Sequence, residues 1–219
     1  MTIMLRDALA ELPLVAILRG LAPQNALAVG QVLIDAGLRI IEVPLNSSRP
    51  FASIGTLARE FGSRALVGAG TVLRSDDVAR VREAGGQLIV MPHGDTAIIR
   101  AAKSARLICV PGVATPTEGF AALAAGADGL KLFPAEAIPP PVVKAWRAVF
   151  PPETLLLPVG GITPERMADY LAAGASGFGL GSALFAPAMT AATVGERAAA
   201  FVAALGEHQQ IPPPHSGGG

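Results

Sequence analysis

The chain has 219 residues, of which 51% are hydrophobic and 16% are charged. This length is enough for one α/β barrel or two small domains with a large buried core. Its 17 Lys and Arg residues balance 17 Asp and Glu residues, so no excess of positive charge favours nucleic acid or an anionic membrane as a partner.

The first predicted element is a short helix from Thr2 to Leu12 that would cover the lower mouth of a barrel. Eight short apolar runs follow, and each is typical of a buried strand in a parallel sheet. These runs begin near Leu14, Ile40, Ala65, Gln87, Arg106, Gly129, Thr154 and Ser176.

The segments between the strands carry helix signals. Stretches such as "PQNALAVGQVLIDAG" and "TPERMADYLAAG" open on a Pro, Ser or Thr and close on a Gly, as helices commonly do. A strand and a helix repeated every 20 to 25 residues or so predict an α/β fold, a (β/α)8 TIM barrel, rather than an open doubly wound sheet.

We expect one barrel domain over residues 1–205. The remainder, 206–219, is rich in Pro and Gly and predicts a disordered tail, because it has almost nothing apolar to bury. The single cysteine, Cys109, lies between apolar neighbours and is predicted to be a buried structural thiol. No apolar segment is long enough for a membrane span and no export signal is visible, so we expect a cytoplasmic protein.

In this fold the active site lies at the carboxyl ends of the strands. The first predicted strand ends at Arg19, the second carries Glu42 and then Asn46, the third runs into Thr71, and the sixth holds Lys131. The last two strands finish in "GG" (160–161) and "GS" (181–182). Glycine pairs in these two loops indicate a phosphate site, because they let backbone N–H groups approach the oxygens.

Lys131 and Glu42 interrupt apolar runs, and this suggests chemistry. A lysine buried in a barrel has a lowered pKa, and its neutral amine can attack a carbonyl and form a Schiff base. Glu42 could then move the protons that imine chemistry requires. The structural alternative is a buried ion pair.

Other site types lack the residues they need. Two of the three histidines lie at or in the tail, so we expect no metal. "GAGTVL" lacks the third glycine and the acidic residue of a dinucleotide site, so we expect no nicotinamide and no other cofactor. Two alternatives stay open: a phosphosugar isomerase or epimerase, in which Lys131 is only an electrostatic partner, and a non-catalytic phosphosugar-binding protein.

Six stretches in order, "VAILRG", "IEVPLNS", "VGAGTVL", "KLFPAEA", "VGGITPE" and "GLGSAL", resemble the KDPG/KDPGal family of class I aldolases over residues 12–205 or so. The resemblance implies a lyase of carbohydrate metabolism that cleaves a phosphorylated 2-keto-3-deoxy sugar acid to pyruvate and glyceraldehyde 3-phosphate. It implies that Lys131 forms the Schiff base and that Glu42 is the general acid/base. Arg19 and Thr71 would hold the anionic substrate, and Gly161, Gly181 and Ser182 would bind its phosphate.

The resemblance also bears on substrate and assembly. Asn46 within "LNS" and Val159 before the glycine pair look like the galactonate branch of the family, which functions in galactonate degradation. We therefore expect 2-dehydro-3-deoxy-6-phosphogalactonate as the main substrate, with 2-dehydro-3-deoxy-6-phosphogluconate as the alternative. "MPHGD" and the proline run in "IPPPVVKAW" depart from the branch. The family commonly forms homotrimers, so a homotrimer is expected.

Overall fold

All eight predicted strands are present in a computed structural model, which describes residues 3–209, and each begins within two residues of its expected position. The strands are β1 (Leu14–Ile17), β2 (Ile40–Pro44), β3 (Leu66–Gly70), β4 (Leu88–Val90), β5 (Ile108–Val110), β6 (Gly112–Val113), β7 (Leu130–Leu132), β8 (Leu156–Pro158) and β9 (Phe178–Leu180). The α-helices are α1 (Leu5–Glu11), α2 (Ala26–Asp35), α3 (Pro50–Phe61), α4 (Ser75–Glu83), α5 (Thr96–Ser104), α6 (Pro116–Ala124), α7 (Pro140–Arg147), α8 (Met167–Ala172) and α9 (Ala191–Gln209).

The strands form two parallel sheets rather than the single set of eight that the sequence predicts. A curled six-stranded sheet has the order β5-β4-β3-β2-β1-β9, and a three-stranded sheet has the order β6-β7-β8. The fifth predicted strand is divided at Pro111 into β5 and β6, because proline has no N–H to donate to a ladder. A bridge between Val159 and Gly179 links the two sheets at the other side. The fold is thus a parallel α/β fold with a six-stranded half-barrel.

Apolar side chains pack on both sides of the strands. Ile41 and Val43 of β2 belong to the core between strands and helices, whereas Ile40 belongs to a second core on the concave side. Successive side chains of a strand point to opposite faces, so Glu42 faces the concave interior with Ile40. The same alternation turns Lys131 inward, because its neighbours on β7 pack in the outer core.

Helix α1 lies against the amino-terminal ends of the strands, as predicted. Its buried residues Leu5, Ala8 and Leu9 pack into the concave core, and burying a leucine side chain contributes about 1.5–3 kcal/mol. Polar contacts hold the helix in place: Arg6 Nη2 donates to the Glu153 carbonyl at 2.6 Å.

Two predictions outside the site have separate outcomes. Cys109 is buried, which confirms the predicted burial of this thiol, and burial raises its pKa to about 12, as in structural rather than reactive cysteines. At the other end, α9 extends to Gln209, four residues past the predicted domain end at residue 205; the rest of the predicted tail, 210–219, lies outside the described residues. Within residues 3–209, no helix has the length and apolar character needed to cross a bilayer.

Candidate active site

Lys131 and Glu42 line the same interior cavity. Lys131 on β7 is 5% exposed and Glu42 on β2 is 1% exposed. The cavity walls are mainly apolar side chains from the strands, including Ile17, Val90 and Val110. The two polar groups are therefore held on strands in a mostly apolar space.

The two groups are buried together without forming a direct ion pair. Over residues 3–209, no carboxylate lies within 4.0 Å of the Lys131 ammonium. Glu42 Oε2 likewise has no hydrogen-bond partner in that part of the chain. A structural ion pair needs close contact to repay the desolvation of its charges, so this geometry does not favour the structural alternative.

Burial moves both pKa values toward neutrality. Desolvation lowers the pKa of Lys131, the Glu42 charge opposes this shift, and the charge on Arg19 adds to it. Desolvation raises the pKa of Glu42 to about 7, against the opposing effects of Lys131 and Arg19. An amine that gives up its proton and a carboxyl that titrates near neutrality are suited to nucleophilic and acid/base chemistry.

Gly70 makes room for the Glu42 carboxylate. A Cβ at Gly70 would lie 1.6 Å from Glu42 Oε2, and a Cβ at Gly68 would lie 2.0 Å from the Leu88 carbonyl oxygen. Contacts this short are impossible for real side chains. The glycines of "GAGTVL" are therefore required by packing around the site.

Arg19, Asn46 and Thr71 form a polar cluster at the carboxyl ends of the first three strands. Arg19 Nη1 donates to Asn46 Oδ1 at 2.7 Å, and Arg19 Nη2 donates to Thr71 Oγ1 at 3.4 Å. Thr71 has a φ of 54°, which is rare for a β-branched residue and costs about 1–3 kcal/mol. Such strain is common at functional sites.

The glycine loops after β8 and β9 line a second, more open cavity. Gly160 and Gly161 have φ values of 115° and 59°, a conformation that glycine adopts without the penalty of other residues. A Cβ at Gly181 would meet no atom within 4 Å, so glycine there leaves space rather than relieving a clash. The predicted residues that line this cavity are Arg19, Lys131, Val159, Gly161, Gly181 and Ser182.

The structure thus brings the predicted residues into one continuous region. Lys131 and Val159 line both cavities, and Glu42 lies in the inner one. Asn46 and Thr71 line neither cavity, and they join the region through their hydrogen bonds to Arg19.

The sequence reasoning missed three site residues. Phe133 places its ring centroid 4.9 Å from Lys131 Nζ, and its spacing of two from Lys131 on an extended segment was a usable signal. Glu136 lies beside the glycine pair, with Oε2 2.4 Å from a Cβ built at Gly160. Arg166 Nη1 donates to the Gly161 carbonyl at 2.6 Å. Neither Glu136 nor Arg166 has a local sequence signal, because loops bring them there.

No group of three or more His, Cys, Asp and Glu side chains suited to a metal ion occurs in the described part of the chain. The polar groups at the cavities include the amine of Lys131, the carboxyl of Glu42 and the guanidinium of Arg19. This set fits a carbonyl compound that carries negative charge.

Comparison with known proteins gives consistent relatives. A probable 2-dehydro-3-deoxy-6-phosphogalactonate aldolase of Rhizobium meliloti (strain 1021) is 47% identical over 89% of this chain and 92% of its own length. The 2-dehydro-3-deoxy-6-phosphogalactonate aldolase of Escherichia coli (strain K12) is 44% identical over 91% of this chain and 98% of its own length.

Solved structures agree with these relatives. A native KDPGal structure has a TM-score of 0.90 at 44% identity, covering 92% of this chain and 98% of the other. A KDPG aldolase from Legionella pneumophila, solved with pyruvate as a covalent carbinolamine, has a TM-score of 0.77 at 25% identity over 91% and 95% of the two chains. The family model for the KDPG and KHG aldolases matches residues 5–196. With this match and these relatives, the chain belongs to the KDPG and KHG aldolase family.

Proposed function

We propose that the chain is a class I aldolase that reversibly cleaves 2-dehydro-3-deoxy-6-phosphogalactonate to pyruvate and D-glyceraldehyde 3-phosphate. The observation that carries the proposal is Lys131, which is 5% exposed, has no carboxylate within 4.0 Å in residues 3–209, and shares its cavity with Glu42. The names of the two relatives support the substrate. The carbinolamine in the Legionella protein supports the chemistry.

The reaction begins when the neutral Lys131 amine attacks the C2 ketone of the substrate. The resulting carbinolamine loses water and becomes a protonated imine, which withdraws electrons from the C3–C4 bond. Loss of the C4 hydroxyl proton breaks that bond, releases glyceraldehyde 3-phosphate and leaves an enamine on Lys131. Protonation at C3 and hydrolysis by water then release pyruvate and restore the amine.

Glu42 moves the protons in these steps. With a pKa of about 7 the carboxyl is partly protonated near neutral pH, so it can donate a proton to the departing hydroxyl and accept one at another step. Its unpartnered Oε2 leaves an oxygen available for a water or a substrate hydroxyl. Glycine at position 70 leaves room for this oxygen, because any Cβ there would displace it.

The two ends of the substrate are anionic, and each has a matching region. Arg19 and Thr71 would hold the carboxylate, because Arg19 carries positive charge and Thr71 a hydroxyl donor. The backbone at Gly161 and Gly181 and the Ser182 hydroxyl would hold the phosphate.

Two residues absent from the sequence hypothesis adjust that phosphate region. Glu136 brings a negative charge beside the glycine pair, whereas Arg166 brings a positive charge to the Gly161 carbonyl. The two charges act on a dianionic phosphate in opposite directions, since Glu136 would repel it and Arg166 would attract it.

Discrimination between the galactonate and gluconate substrates is assigned to Val159 and Asn46. Val159 presents methyl groups to both cavities, so it makes no hydrogen bond to the C4 hydroxyl that would distinguish the two configurations. We expect a higher kcat/KM for the galactonate substrate, with 2-dehydro-3-deoxy-6-phosphogluconate also accepted. Val159→Thr should raise the gluconate/galactonate ratio, and equal ratios in the two proteins would remove Val159 from this role.

Trapping with pyruvate and borohydride tests the reaction class. The chain has three lysines, Lys103, Lys131 and Lys144, so intact mass followed by peptide mapping can assign a reduced adduct to one of them. An adduct on Lys131 alone is expected. Folded protein without an adduct would rule out the imine mechanism and favour an isomerase or a binding protein on the same scaffold.

Three further features belong to the proposal. The two sheets would form one closed (β/α)8 barrel, which is supported by the Val159–Gly179 bridge and by the chain continuity of β5 and β6 across Pro111.

The homotrimer is supported by the family resemblance and by large apolar side chains at the surface, Phe120 and Val149. Light scattering with size exclusion would test it, and a monomer would contradict it. The cytoplasmic location stays a prediction.

A further inference from the structure

We propose that Leu5 of α1 is a positioning residue for the reaction, because it closes the amino-terminal end of the inner cavity that Lys131 and Glu42 share and keeps bulk water from entering there. Helix α1 would then be part of the catalytic design rather than only a structural cover. The inference rests on the proposed imine chemistry, since it concerns the environment in which the Lys131 amine reacts.

The geometry of the cavity carries this inference. Leu5 lines the cavity together with Lys131 and Glu42, although it belongs to a helix outside the sheets. Its side chain is 3% exposed. The remaining walls are glycine and apolar side chains from the strands, and the space within is about 20 Å³, room for about one water molecule. Leu5 therefore separates the two reactive groups from solvent at the amino-terminal end of the strands.

Glycines in the strands' approach segments accommodate the helix. A Cβ at Gly129 would lie 3.3 Å from Leu5 Cδ2, and a Cβ at Gly177 would lie 3.0 Å from Leu9 Cδ2. Distances this short would push the leucines away. Leu5 and Leu9 are thus equally well packed, but Leu9 does not line the cavity, so it provides a matched comparison.

Charges on α1 do not reach the reactive groups, so the helix acts by excluding water. Arg6, Asp7 and Glu11 are exposed. Arg6 donates to the Glu153 carbonyl, and Glu11 Oε2 lies 3.3 Å from Arg39 Nε.

The charged groups that act on Lys131 are Glu42 and Arg19, and those that act on Glu42 are Lys131 and Arg19. For both groups the largest cause of the pKa shift is desolvation, which water in the cavity would weaken. Hydration would therefore raise the pKa of Lys131 and lower that of Glu42.

The test compares Leu5→Ser with Leu9→Ser in the full-length chain. Each variant loses the same apolar atoms from the same helix. Only Leu5→Ser places a hydroxyl in the lining of the cavity that Glu42 and Lys131 share, which adds a polar partner for water to that apolar wall. The rate of borohydride-trapped pyruvate adduct on Lys131 is measured from pH 5 to 10 or so.

A higher pKa for Lys131 means less neutral amine at a given pH. Leu5→Ser should thus shift the acid limb of the profile by about one pH unit upward, which lowers the rate about tenfold on that limb and leaves the alkaline plateau unchanged. Leu9→Ser should keep the wild-type midpoint. Leu5→Met, which refills the space, should also keep it. If Leu5→Ser does not fold, Leu5→Thr provides the hydroxyl with a smaller loss of packing.

Coincident midpoints for the wild type and a folded Leu5 hydroxyl variant would overturn the inference, as would equal shifts from Leu5→Ser and Leu9→Ser, which indicate a structural role alone. The failure of the aldolase proposal looks different, because the wild type itself would then form no adduct on Lys131.

Discussion

Two of the three lysines of this chain lie in different electrostatic environments. Lys103 of α5 lies 2.5 Å from Asp128 Oδ2 and also donates to the Leu107 carbonyl. Asp128 in turn accepts a hydrogen bond from the backbone N–H of Cys109. Lys131 is more deeply buried and has no carboxylate within 4.0 Å in residues 3–209. A carboxylate contact thus compensates the charge of Lys103, whereas Lys131 has no such contact in these residues.

The contrast separates a lysine with a structural contact from the one that we propose is reactive. The ammonium of Lys103 joins a helix to the loop before β7. At Lys131 burial penalises the charged form and lowers the pKa, which favours the neutral amine. A lysine buried without a partner is costly to a fold, and the cost is understandable where the amine is a reagent.

Replacing each lysine with methionine, which keeps the aliphatic stem, tests the contrast between the two lysines most directly. Lys131→Met should lower kcat/KM by at least about 1000-fold, because the nucleophile is gone. Lys103→Met should lose stability rather than activity, by about 1 kcal/mol, because its ion pair is partly exposed. Steady-state kinetics and urea unfolding measure the two effects. An active Lys131→Met enzyme would contradict the assignment.

Glu42→Gln tests the second half of the inner site. The amide keeps the shape of the carboxyl but cannot exchange the proton, so kcat should fall roughly 100- to 10,000-fold. Lys131 would still react with pyruvate, and prolonged trapping should label the same peptide. Turnover near the wild-type level would exclude Glu42 as the acid/base group.

Gly70→Ala tests whether the position of Glu42 matters as well as its presence. The added methyl group would lie 1.6 Å from Oε2, so the carboxylate must move, and a displacement of about 1 Å can cost about 100-fold in rate. Gly55→Ala in helix α3 is the control, because its Cβ would make only an ordinary contact of 3.6 Å with the Ala84 carbonyl oxygen. Equal activity in the two variants would contradict the positioning argument.

The positions of the strands along the chain and the two candidate site residues, Lys131 and Glu42, were predictable because both depend on local sequence pattern. Polar residues at single positions within apolar runs identified Lys131 and Glu42, since the fold places the ends of such strands together. The division of the fifth strand at Pro111 could also have been predicted, because proline removes a hydrogen-bond donor from the ladder. The separation into two sheets could not, since strand pairing depends on the neighbouring strands as well.

Residues brought in by loops and helices were harder. Glu136 lies within a short 3-10 turn, Ala135–Ala137, so no periodicity connects it with the glycine pair. Leu5 reads in sequence as an ordinary apolar residue of an amphipathic helix. Its place in the lining of the inner cavity depends on how α1 packs against the strands. No local spacing in the sequence predicts this packing.

The pH dependence of stability provides the last and smallest test of the uncompensated pair. The pKa of Glu42 is raised from 4.5 to about 7 on folding, so between these values the folded state binds a proton that the unfolded state has lost. The free energy of unfolding must therefore fall as pH rises through this window. We expect the wild type to lose about 1–3 kcal/mol relative to Glu42→Gln between pH 5 and 7.5.

Urea unfolding at both pH values measures this difference. Glu60→Gln, on the exposed face of α3, is the matched control, because it makes the same substitution at an exposed side chain. Parallel stability curves for the wild type and Glu42→Gln would mean that Glu42 is solvated or paired in the folded protein. The contrast with the ion-paired Lys103 and Asp128 would then no longer hold, because a compensated carboxyl has no reason to hold its proton near neutral pH.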